Sequence, residues 1–597
     1  MVRATFAGFS TALSAIQANQ KRLDVIGHNL ANMNTVGYTR QQLETSSLNY
    51  TSPVSNYMNG SEIIVGFGTR MDRVSQIRDP YLDIQYRTQM QKSSYTDALQ
   101  TSLDSLAKIF DESDIQGIQN AFNDIYSSLI NMQDSSKVND AIYESELRTR
   151  IQHLTNLLNE SDRQITEAQQ QEFQRLDGTN TTENGAIQEV NDILRQIGNL
   201  NRRIKENQIL GQQSLELMDE RNVLLDTLSS YIPIEVTYYK DQAHDGVDVN
   251  GNEDLSETYH LDSNGKPMFK KEWPDDLRVE MLYYDEQGNT QRLTLVEGTE
   301  GTGAQNYGKL TLNNGNIMDP ANFTLTITGS EANLADPKAQ ESITLNPNIV
   351  NGAVAGIAPG TADNGTTVAQ LTGGSIQASL DMLWKSGNTE LVPNKEVKGY
   401  QYYREQLDNL ANSFAGVMNA INRNNNPNDA TIPQNLMTAK DGGTTITAAN
   451  IGINADWVSG KVHINTGGPG DNPNTAILYM EEALKSTYPY KSTQLTQILQ
   501  NAGIDPDLKN NTFSDFMNHV STVLANDSYS NTLSLKTNVT VLNGIQNSRD
   551  SMSGVSLNEE ASNMMMFQSA YQASSRLMTA LDQVLDVLIN STGTCGR

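Results

Sequence analysis

The sequence predicts a mostly α-helical protein that carries inserted antiparallel β structure. Apolar residues recur at three- and four-residue steps near both chain ends, and helical periodicity continues for about 150 residues after Asp79-Pro80. Residues 234–365 instead alternate between apolar and polar side chains. We therefore expect a terminal-helix coiled-coil domain, an elongated helical bundle and one or two antiparallel β-rich outer domains.

The first heptad pattern begins at the N-terminus. Its apolar positions are Phe6, Phe9, Leu13, Ile16, Leu23 and Leu30. A recurrence of about 3.5 residues keeps one stripe of a helix facing a partner as the two helices supercoil. Because Gln20 and Gly27 also fall on this stripe, the helix suits partners gained on assembly better than a stable isolated pair.

The second heptad pattern lies at the C-terminus. Its apolar positions are Leu557, Met564, Phe567, Tyr571, Met578, Leu581, Leu585 and Leu588. Apolar residues at helical spacing are ordinary core residues in most proteins, but chain ends usually fray. A stripe at each end therefore predicts that the two ends pair with each other and form an assembly interface.

Between the terminal helices the pattern changes several times. Glycines at 60, 66 and 68 break the alternating pieces of residues 35–85, which predicts extended chain and a hairpin. The predicted segments are 1–90 for the N-terminal helix and its hairpin connector, 91–233 for a helical bundle, 234–365 for a β-rich outer insertion, 366–423 for returning helices, 424–505 for a polar insertion with a small β-containing domain as one option, 506–545 for a returning bundle helix, and 546–597 for the C-terminal coiled-coil helix.

The composition favours an assembled structural protein over a compact enzyme. The 597 residues are too many for one hydrophobic core, and only 37% of them are hydrophobic. The formal net charge is -28, so the surface repels phosphate backbones and no nucleic acid partner is expected. The single cysteine, Cys595, excludes an intramolecular disulfide and a four-cysteine zinc site.

The sequence predicts no targeting segment. No run approaches the roughly 18 apolar residues that a membrane-spanning helix requires, so no membrane insertion is expected. The first ten residues lack a basic segment followed by an apolar stretch, which a cleaved secretory signal would show. We expect neither a cleavable signal peptide nor an anchor.

Motifs for catalysis and metal binding are missing or incomplete. The sequence contains no His-Glu-x-x-His, Gly-x-Ser-x-Gly or Walker A motif. A calcium-loop pattern includes Asp248, Asn250 and Glu257, but glycine occupies its first ligand position, Gly246. An acidic hairpin turn explains this pattern better than an ion site, and we expect no enzyme activity, no cofactor and no metal.

A motif near the N-terminus is more specific. It consists of Asn29-Leu-Ala-Asn32 followed by Thr35, Gly37, Tyr38 and Arg40. This stretch strongly resembles the N-terminal motif of bacterial flagellar rod, hook and hook-associated proteins. Asn and Gly suit a helix C-terminus because they tolerate the left-handed backbone with which the chain leaves a helix. We therefore add Asn29, Asn32 and Gly37 to the candidate assembly residues.

Three further stretches resemble the hook-associated proteins of the hook-filament junction, the first junction family in particular. They are Leu217-Met-Asp-Glu-Arg-Asn-Val, Gly373-Gly-Ser-Ile-Gln-Ala-Ser-Leu and Arg549-Asp-Ser-Met-Ser-Gly-Val. The resemblance covers both termini and the helical middle of the chain. It does not cover the β insertion or residues 424–505.

The resemblance implies a structural component of the flagellum that forms a homo-oligomeric ring around a central channel. The ring would join the flagellar hook protein to the second hook-filament junction protein. Export would run through the flagellar type III export apparatus to an extracellular location, with a flagellar export chaperone on the C-terminal helix. The terminal helices would fold only when neighbouring copies bury them.

Three alternatives remain open. A hook or distal-rod axial protein would share the N-terminal motif but should lack the stretch that begins at Leu217 and contain less helix. A hydrolase carried on a flagellar scaffold would need catalytic groups, which none of the motifs supplies. An adhesin-like or immune-facing β domain within residues 234–365 is compatible with the junction role.

Overall fold

A computed structural model gives the architecture of the chain. The residues that it describes are 6–48, 68–110, 112–138, 140–178, 184–210, 212–240, 259–261, 267–270, 275–285, 288–298, 306–313, 324–330, 342–345, 349–350, 353–354, 367–368, 370–389, 396–423, 434–466 and 472–591. The calcium-loop pattern at Asp248, Asn250 and Glu257, and Cys595, lie outside the described residues.

Helices make up most of the described chain. They are α1 (Phe6–Ala31), α2 (Pro80–Ile109), α3 (Glu112–Asn131), α4 (Ala141–Asp177), α5 (Ala186–Ile209), α6 (Leu215–Tyr231), α7 (Ser375–Trp384), α8 (Tyr400–Arg423), α9 (Ala455–Val458), α10 (Thr475–Lys485), α11 (Thr493–Asn501), α12 (Phe513–Ser553) and α13 (Leu557–Ser591). Together with the small antiparallel sheets, they confirm the predicted fold class, mostly α with inserted β.

The strands are short and most pair antiparallel. They are β1 (Gln41–Ser47), β2 (Thr69–Gln76), β3 (Ile234–Lys240), β4 (Tyr259–Leu261), β5 (Pro267–Lys270), β6 (Asp275–Tyr284), β7 (Thr290–Glu297), β8 (Lys309–Asn313), β9 (Thr324–Thr328), β10 (Ser342–Leu345), β11 (Ile349–Val350), β12 (Ala353–Val354), β13 (Thr367–Val368), β14 (Gln370–Leu371), β15 (Ser386–Thr389), β16 (Glu396–Lys398), β17 (Met437–Ala439) and β18 (Ile451–Ile453).

Local signals explain where the long helices begin and end. The side chain of Asp79 accepts a hydrogen bond of 2.9 Å from the backbone N–H of Tyr81, which caps α2, and Pro80 occupies its first turn. Helix α4 ends at Gly178, whose φ of 75° is the left-handed conformation that glycine adopts without strain. Both boundaries follow directly from the sequence.

A first hydrophobic core joins α2, α3, α4 and α8 to the first part of α12. Phe122, Phe414 and Phe513 pack against one another at its centre, with ring centroids 5.4 to 5.9 Å apart. Residues 434–466 and 472–501 also belong to this core, through the fully buried side chains of Trp457 and Ile477 among others. The segment predicted as a polar insertion therefore packs with the helices, because sparse apolar residues among its Asn, Gly and Thr supply the contacts.

A second core joins the end of α4, α5, α6 and α7 to the sheets of the β insertion. In one four-stranded sheet β6 pairs with β7 along one edge and with β3 and then β14 along the other. A second sheet has the order β13-β10-β9-β8. The chain enters and leaves the insertion beside the same residue, Leu282 of β6. The N–H of Leu282 donates to the carbonyl of Pro233, which precedes the insertion (3.0 Å), and its carbonyl accepts from the N–H of Thr372, which follows it (3.4 Å).

Two antiparallel helix pairs connect these cores to the chain ends. Helix α2 lies along α12, and α1 lies along α13, beside the β1-β2 hairpin. The chain thus runs outward through α1 and α2 and returns through α12 and α13. This arrangement brings the two termini into one terminal domain.

Candidate assembly site at the joined chain ends

The terminal helices α1 and α13 pair in opposite directions. A Cβ atom added to Gly8 would lie 3.3 Å from the Leu581 side chain, and the Arg22 guanidinium lies 5.0 Å from the centroid of the Phe567 ring. The contacts follow each other at equal spacing and in reversed order along the two helices. The pairing of the two ends predicted from the sequence is therefore present within one chain.

Most of the predicted heptad positions of α13 lie on the side that packs against α1, whereas Leu557, at the start of the helix, is 55% exposed. They are half-buried at Met564, Phe567, Tyr571, Met578, Leu581 and Leu585. Two polar residues complete the same stripe, since Glu560 is buried and Ser574 is half-buried. Leu588 continues the stripe by position, but its side chain lies outside the described part of the structure.

Helix α1 divides its contacts between α13 and the hairpin. Of its predicted positions, Phe9, Ile16, Leu23 and Leu30 are half-buried, Leu13 is 47% exposed, and the side chain of Phe6 lies outside the described part. The fully buried apolar residues of α1 are Ala12, Ala18, Val25 and Ile26, which the heptad did not identify. The hairpin approaches closely at Ser14, whose hydroxyl accepts a 3.2 Å hydrogen bond from the Thr69 N–H.

A second apolar stripe of α13 has no cover within the described residues. We define this outer stripe as Met566, Ala573, Leu577, Ala580, Val584 and Val587, all of which are exposed. Their spacing of seven, four, three, four and three residues places them on one helix face. Val584 and Val587 are 57% and 58% exposed, which is unusual for neighbouring valines on a folded helix.

The turn that ends α1 is built from the N-terminal motif. The buried Asn29 accepts hydrogen bonds from the Tyr38 hydroxyl (2.8 Å) and the Gln41 N–H (3.0 Å), and donates to the Gln41 carbonyl (3.0 Å). Asn32 donates to the carbonyl of His28 at 3.1 Å. These bonds fold the chain back from the helix into β1. Asn29 and Asn32, both predicted as assembly residues, therefore stabilise the shape of this turn within one chain.

Gly37 allows the same turn to contact α6. Its φ is 78°, and an added Cβ atom would lie only 2.2 Å from Cγ2 of Val223. The next residues bind α6 directly, because the N–H and hydroxyl of Thr39 donate to Asp219 at 3.0 and 2.6 Å. Burial raises the pKa of the Asp219 carboxyl above its ordinary value, although the two bonds from Thr39 act in the opposite direction.

Arg40 joins the exit of α1 to the beginning of α13. Its Nε donates to Glu560 and its Nη1 to Glu559, both at 2.7 Å, and its backbone N–H donates to the Ser553 carbonyl at 2.9 Å. Glu560 is 1% exposed, so this ion pair is largely shielded from water. We call these contacts the Arg40 clasp.

Arg549 joins the end of α12 to the bundle. Its guanidinium forms ion pairs with Asp83 of α2 (3.0 Å) and Asp226 of α6 (2.6 Å), and it lies 4.8 Å from the centroid of the Tyr86 ring. Arg87 pairs with Asp226 from the other side at 2.9 Å. We call the contacts of Arg549 the Arg549 clasp.

The stretches that carry the flagellar resemblance meet around these clasps. The N-terminal motif contacts the stretch that begins at Leu217 through Thr39 and Asp219, and Arg549 begins the C-terminal stretch. The stretch at Gly373 lies at the end of α6, where an added Cβ atom on Gly374 would be 2.3 Å from the Tyr231 carbonyl oxygen. The arrangement positions these helices relative to one another.

Two other kinds of site are absent from the described residues. No three His, Cys, Asp or Glu side chains gather there as a metal site. Within the same residues, no helix is long and apolar enough to cross a membrane. A cleft of about 530 Å³ lies between α1, β1 and α13 and includes Arg22, Arg40, Glu560 and Phe567 in its walls.

Comparisons with known proteins agree with the geometry. Residues 103–431 match the family model described as the flagellar hook-associated protein FlgK helical domain. Residues 9–39 match flagella basal body rod protein, and residues 546–591 match the C-terminal part of flagellar basal body rod FlgEFG protein. The two end matches coincide with the paired terminal helices.

Similar proteins carry related names. Flagellar hook-associated protein 1 of Bacillus subtilis (strain 168) is 27% identical over 601 residues, which cover 99% of each chain. The protein of the same name in Escherichia coli (strain K12) is 23% identical over 238 residues, 38% of this chain and 39% of the relative. The solved flagellar hook junction protein FlgK of Burkholderia pseudomallei shares 18% identity, over 60% of this chain and 46% of that chain, with a TM-score of 0.35.

The resemblance first seen in the motifs is therefore confirmed. The helical-domain match distinguishes this chain from rod proteins, which match only at its ends. Because that match spans more than half of the sequence, the chain belongs to the flagellar hook-associated protein FlgK family and is a structural component of the bacterial flagellum.

Proposed function

We propose that this chain forms the junction layer between hook and filament and that it assembles through its terminal helices. The observation that carries the proposal is the outer stripe of α13, an exposed apolar face on a helix whose other apolar stripe already packs against α1. Apolar surface of this extent is favourable only when another molecule removes it from water. A neighbouring copy in a ring supplies that cover.

The terminal pair is weak on its own, which fits a site completed by assembly. The predicted stripe of α13 is only half-buried in a single chain, and it includes the polar residues Glu560 and Ser574. Helix pairs with polar seam positions gain most of their stability from further packing. The ends therefore fold fully once neighbouring copies surround them, and before that they stay suitable for export as an extended chain.

The proposed partners follow from this role. A homo-oligomeric ring of the chain contacts the flagellar hook protein on one side and the second hook-filament junction protein on the other. The chain leaves the cell through the flagellar type III export apparatus without a cleaved signal peptide. A flagellar export chaperone covers the C-terminal apolar positions until then.

The test compares substitutions on one turn of α13. Leu585→Asp places a charge on the stripe that faces α1, and Val584→Asp places the same charge on the outer stripe. Gln583→Asp is the matched control, because Gln583 is exposed and polar. Each variant is expressed in cells that lack the protein, and junctions are examined by electron microscopy while secreted chain and filament subunits are measured in the medium.

We expect Leu585→Asp and Val584→Asp to be secreted with a folded helical body but to leave hooks without filaments. Filament subunits should then appear in the medium, and Gln583→Asp should assemble normally. Normal junctions with both Leu585→Asp and Val584→Asp would contradict assembly through the terminal helices. Loss of secretion in all three variants would instead point to export as the affected step.

A further inference from the structure

Helix α12 is continuous, but its surroundings change after Leu524. In its first part the fully buried apolar residues are Phe513, Phe516, Met517, Val520 and Leu524, all in the first core. From 525 to 553 the only buried residue is an asparagine, Asn531. The helix therefore leaves the apolar core after about its first third. Beyond that point it continues along α2 through contacts of another kind.

Side-chain amides take part in the hydrogen bonds between this part of α12 and α2. Asn531 donates to the Thr96 carbonyl (2.8 Å) and to the Gln100 side chain (3.0 Å). One heptad later, the side chain of Gln89 donates to both the backbone and side-chain oxygens of Asn538, each at 3.1 Å. Such bonds fix the register of two helices, but water can replace them when the helices separate.

The apolar residues between these amides add little cover. Leu535, Leu542 and Ile545 fall on the same face as the two asparagines, and each is only half-buried. A half-buried side chain gains much less from leaving water than the fully buried Phe516 or Val520. The second part of α12 is therefore held less firmly than the first.

The end of this part is fixed by the Arg549 clasp. The side chains of Arg549 and Asp226 are each 16% exposed, so water reaches this ion pair and its opening is less costly than that of a fully buried pair. The other partner, Asp83, is 3% exposed. When the clasp opens, Asp226 still has Arg87 and Asp83 still has Arg78 as partners. Neither aspartate is left as an uncompensated buried charge.

We propose that a detachable C-terminal unit begins inside α12, after Leu524, and that the Arg549 clasp is its latch. Residues 525–591 leave and rejoin the body together while the first core stays folded. The Arg40 clasp, the contacts of α13 with α1 and the ion pair between Lys398 and Asp527 (3.3 Å) open in the same step as the Arg549 clasp. The proposal rests on the proposed function, because a detached unit presents the C-terminal apolar positions before assembly and a closed latch holds them in the finished junction. The unit boundary lies within a helix and not at the turn between α12 and α13.

Hydrogen exchange of the purified full-length chain, followed by mass spectrometry, tests the boundary. We expect peptides from 525–553 to exchange at least tenfold faster than peptides from 513–524 of the same helix. Arg549→Ala should speed exchange in 525–553 about tenfold further and leave 513–524 unchanged. Uniform exchange along α12, or an equal effect of Arg549→Ala on both parts, would overturn the proposal.

A second variant tests the hydrogen bonds of Asn531 and Asn538 with α2, which we call the amide seam, by an effect that should slow exchange and not speed it. Asn531→Leu with Asn538→Leu replaces the amides by apolar side chains facing α2, and should slow exchange in 525–553 about tenfold. Asn526→Leu with Asn547→Leu is the matched control, because both asparagines are exposed on the same helix. If the control slows exchange as much as the seam variant, helix propensity and not the seam sets the rate, and the proposal fails.

The two proposals fail independently. An exchange boundary after Leu524 together with normal junctions in Leu585→Asp and Val584→Asp would retain the detachable unit and remove the assembly role. Uniform exchange together with absent junctions would retain the assembly role and remove the latch. Each measurement is therefore decisive for its own claim.

Discussion

The two helix pairs that carry the chain ends differ in what lies between the helices. The terminal pair, α1 with α13, is joined by apolar side chains, yet most of them remain half-exposed in one chain. The α2–α12 pair is joined along much of its length by asparagine and glutamine, and its apolar contacts are concentrated at the first core. Apolar contact is therefore partial in both pairs. The terminal pair leaves its apolar side chains half-exposed, and the α2–α12 pair has amide side chains at positions where apolar ones would pack.

This difference shows where the C-terminal part of the chain is held. Among the described residues between the first core and the chain end, Asp527 pairs with Lys398 near the core, and the Arg549 and Arg40 clasps lie at the adjoining ends of α12 and α13. Oriented ion pairs and buried amides fix position more than they add stability. The terminal domain is consequently positioned at its base by these contacts, and under the proposed function neighbouring copies supply the remaining stability.

The largest expected effect contrasts the two parts of α12. Phe516→Ala removes a fully buried ring from the first core and should lower the free energy of unfolding by about 3–5 kcal/mol. Leu535→Ala removes a half-buried side chain from the seam with α2 and should cost about 1 kcal/mol. Urea unfolding followed by circular dichroism checks both, and equal losses would contradict the contrast.

A smaller effect is expected where the terminal pair meets α6. Gly37→Ala forces a side chain into a left-handed backbone position and against Val223, and should destabilise the terminal domain by about 1–3 kcal/mol. Gly27→Ala is the control, since an added Cβ there meets no atom within 4 Å and Ala favours a helix by about 0.5–1 kcal/mol. Hydrogen exchange of α1 should rise in the first variant and fall in the second.

The smallest effect concerns the pH dependence of the same contact. Because the pKa of Asp219 is raised in the folded state, the folded chain binds more protons than the unfolded chain between the ordinary and the raised value. The stability contributed at this site therefore falls as pH rises through that window, and Asp219→Asn lacks this slope. The Tm difference between wild type and Asp219→Asn should shrink from about pH 4 to about pH 7; a growing difference would contradict the assigned shift.

Much of the fold was predictable because local periodicity decides it. The heptads at Met564, Phe567 and Leu581 gave both the helix and the face that meets α1. The N-terminal helix was harder, because α1 packs on two sides and its most buried residues, such as Ala12 and Ala18, are small. Small residues such as alanine allow a second helix or strand to approach closely. The heptad pattern, which follows large apolar side chains along one stripe, does not include them.

The clasps could not be predicted from local pattern. Thr39 and Asp219 are 180 residues apart in sequence, and Arg549 meets Asp83 from the far end of the chain. No spacing rule pairs one arginine with one aspartate among 42 basic and 70 acidic residues. The resembling stretches did contain Asp219, Arg40 and Arg549, so family likeness pointed to these residues where physical pattern could not. Whether the seam residues serve in assembly stays a prediction.

The β insertion enters and leaves the helical body beside one residue, Leu282. A polypeptide attached at two adjacent points can be exchanged for another of similar end-to-end separation without stretching its host. The outer part of this insertion is thus a natural graft position, at which a foreign module can replace it while the helical body keeps its own sequence.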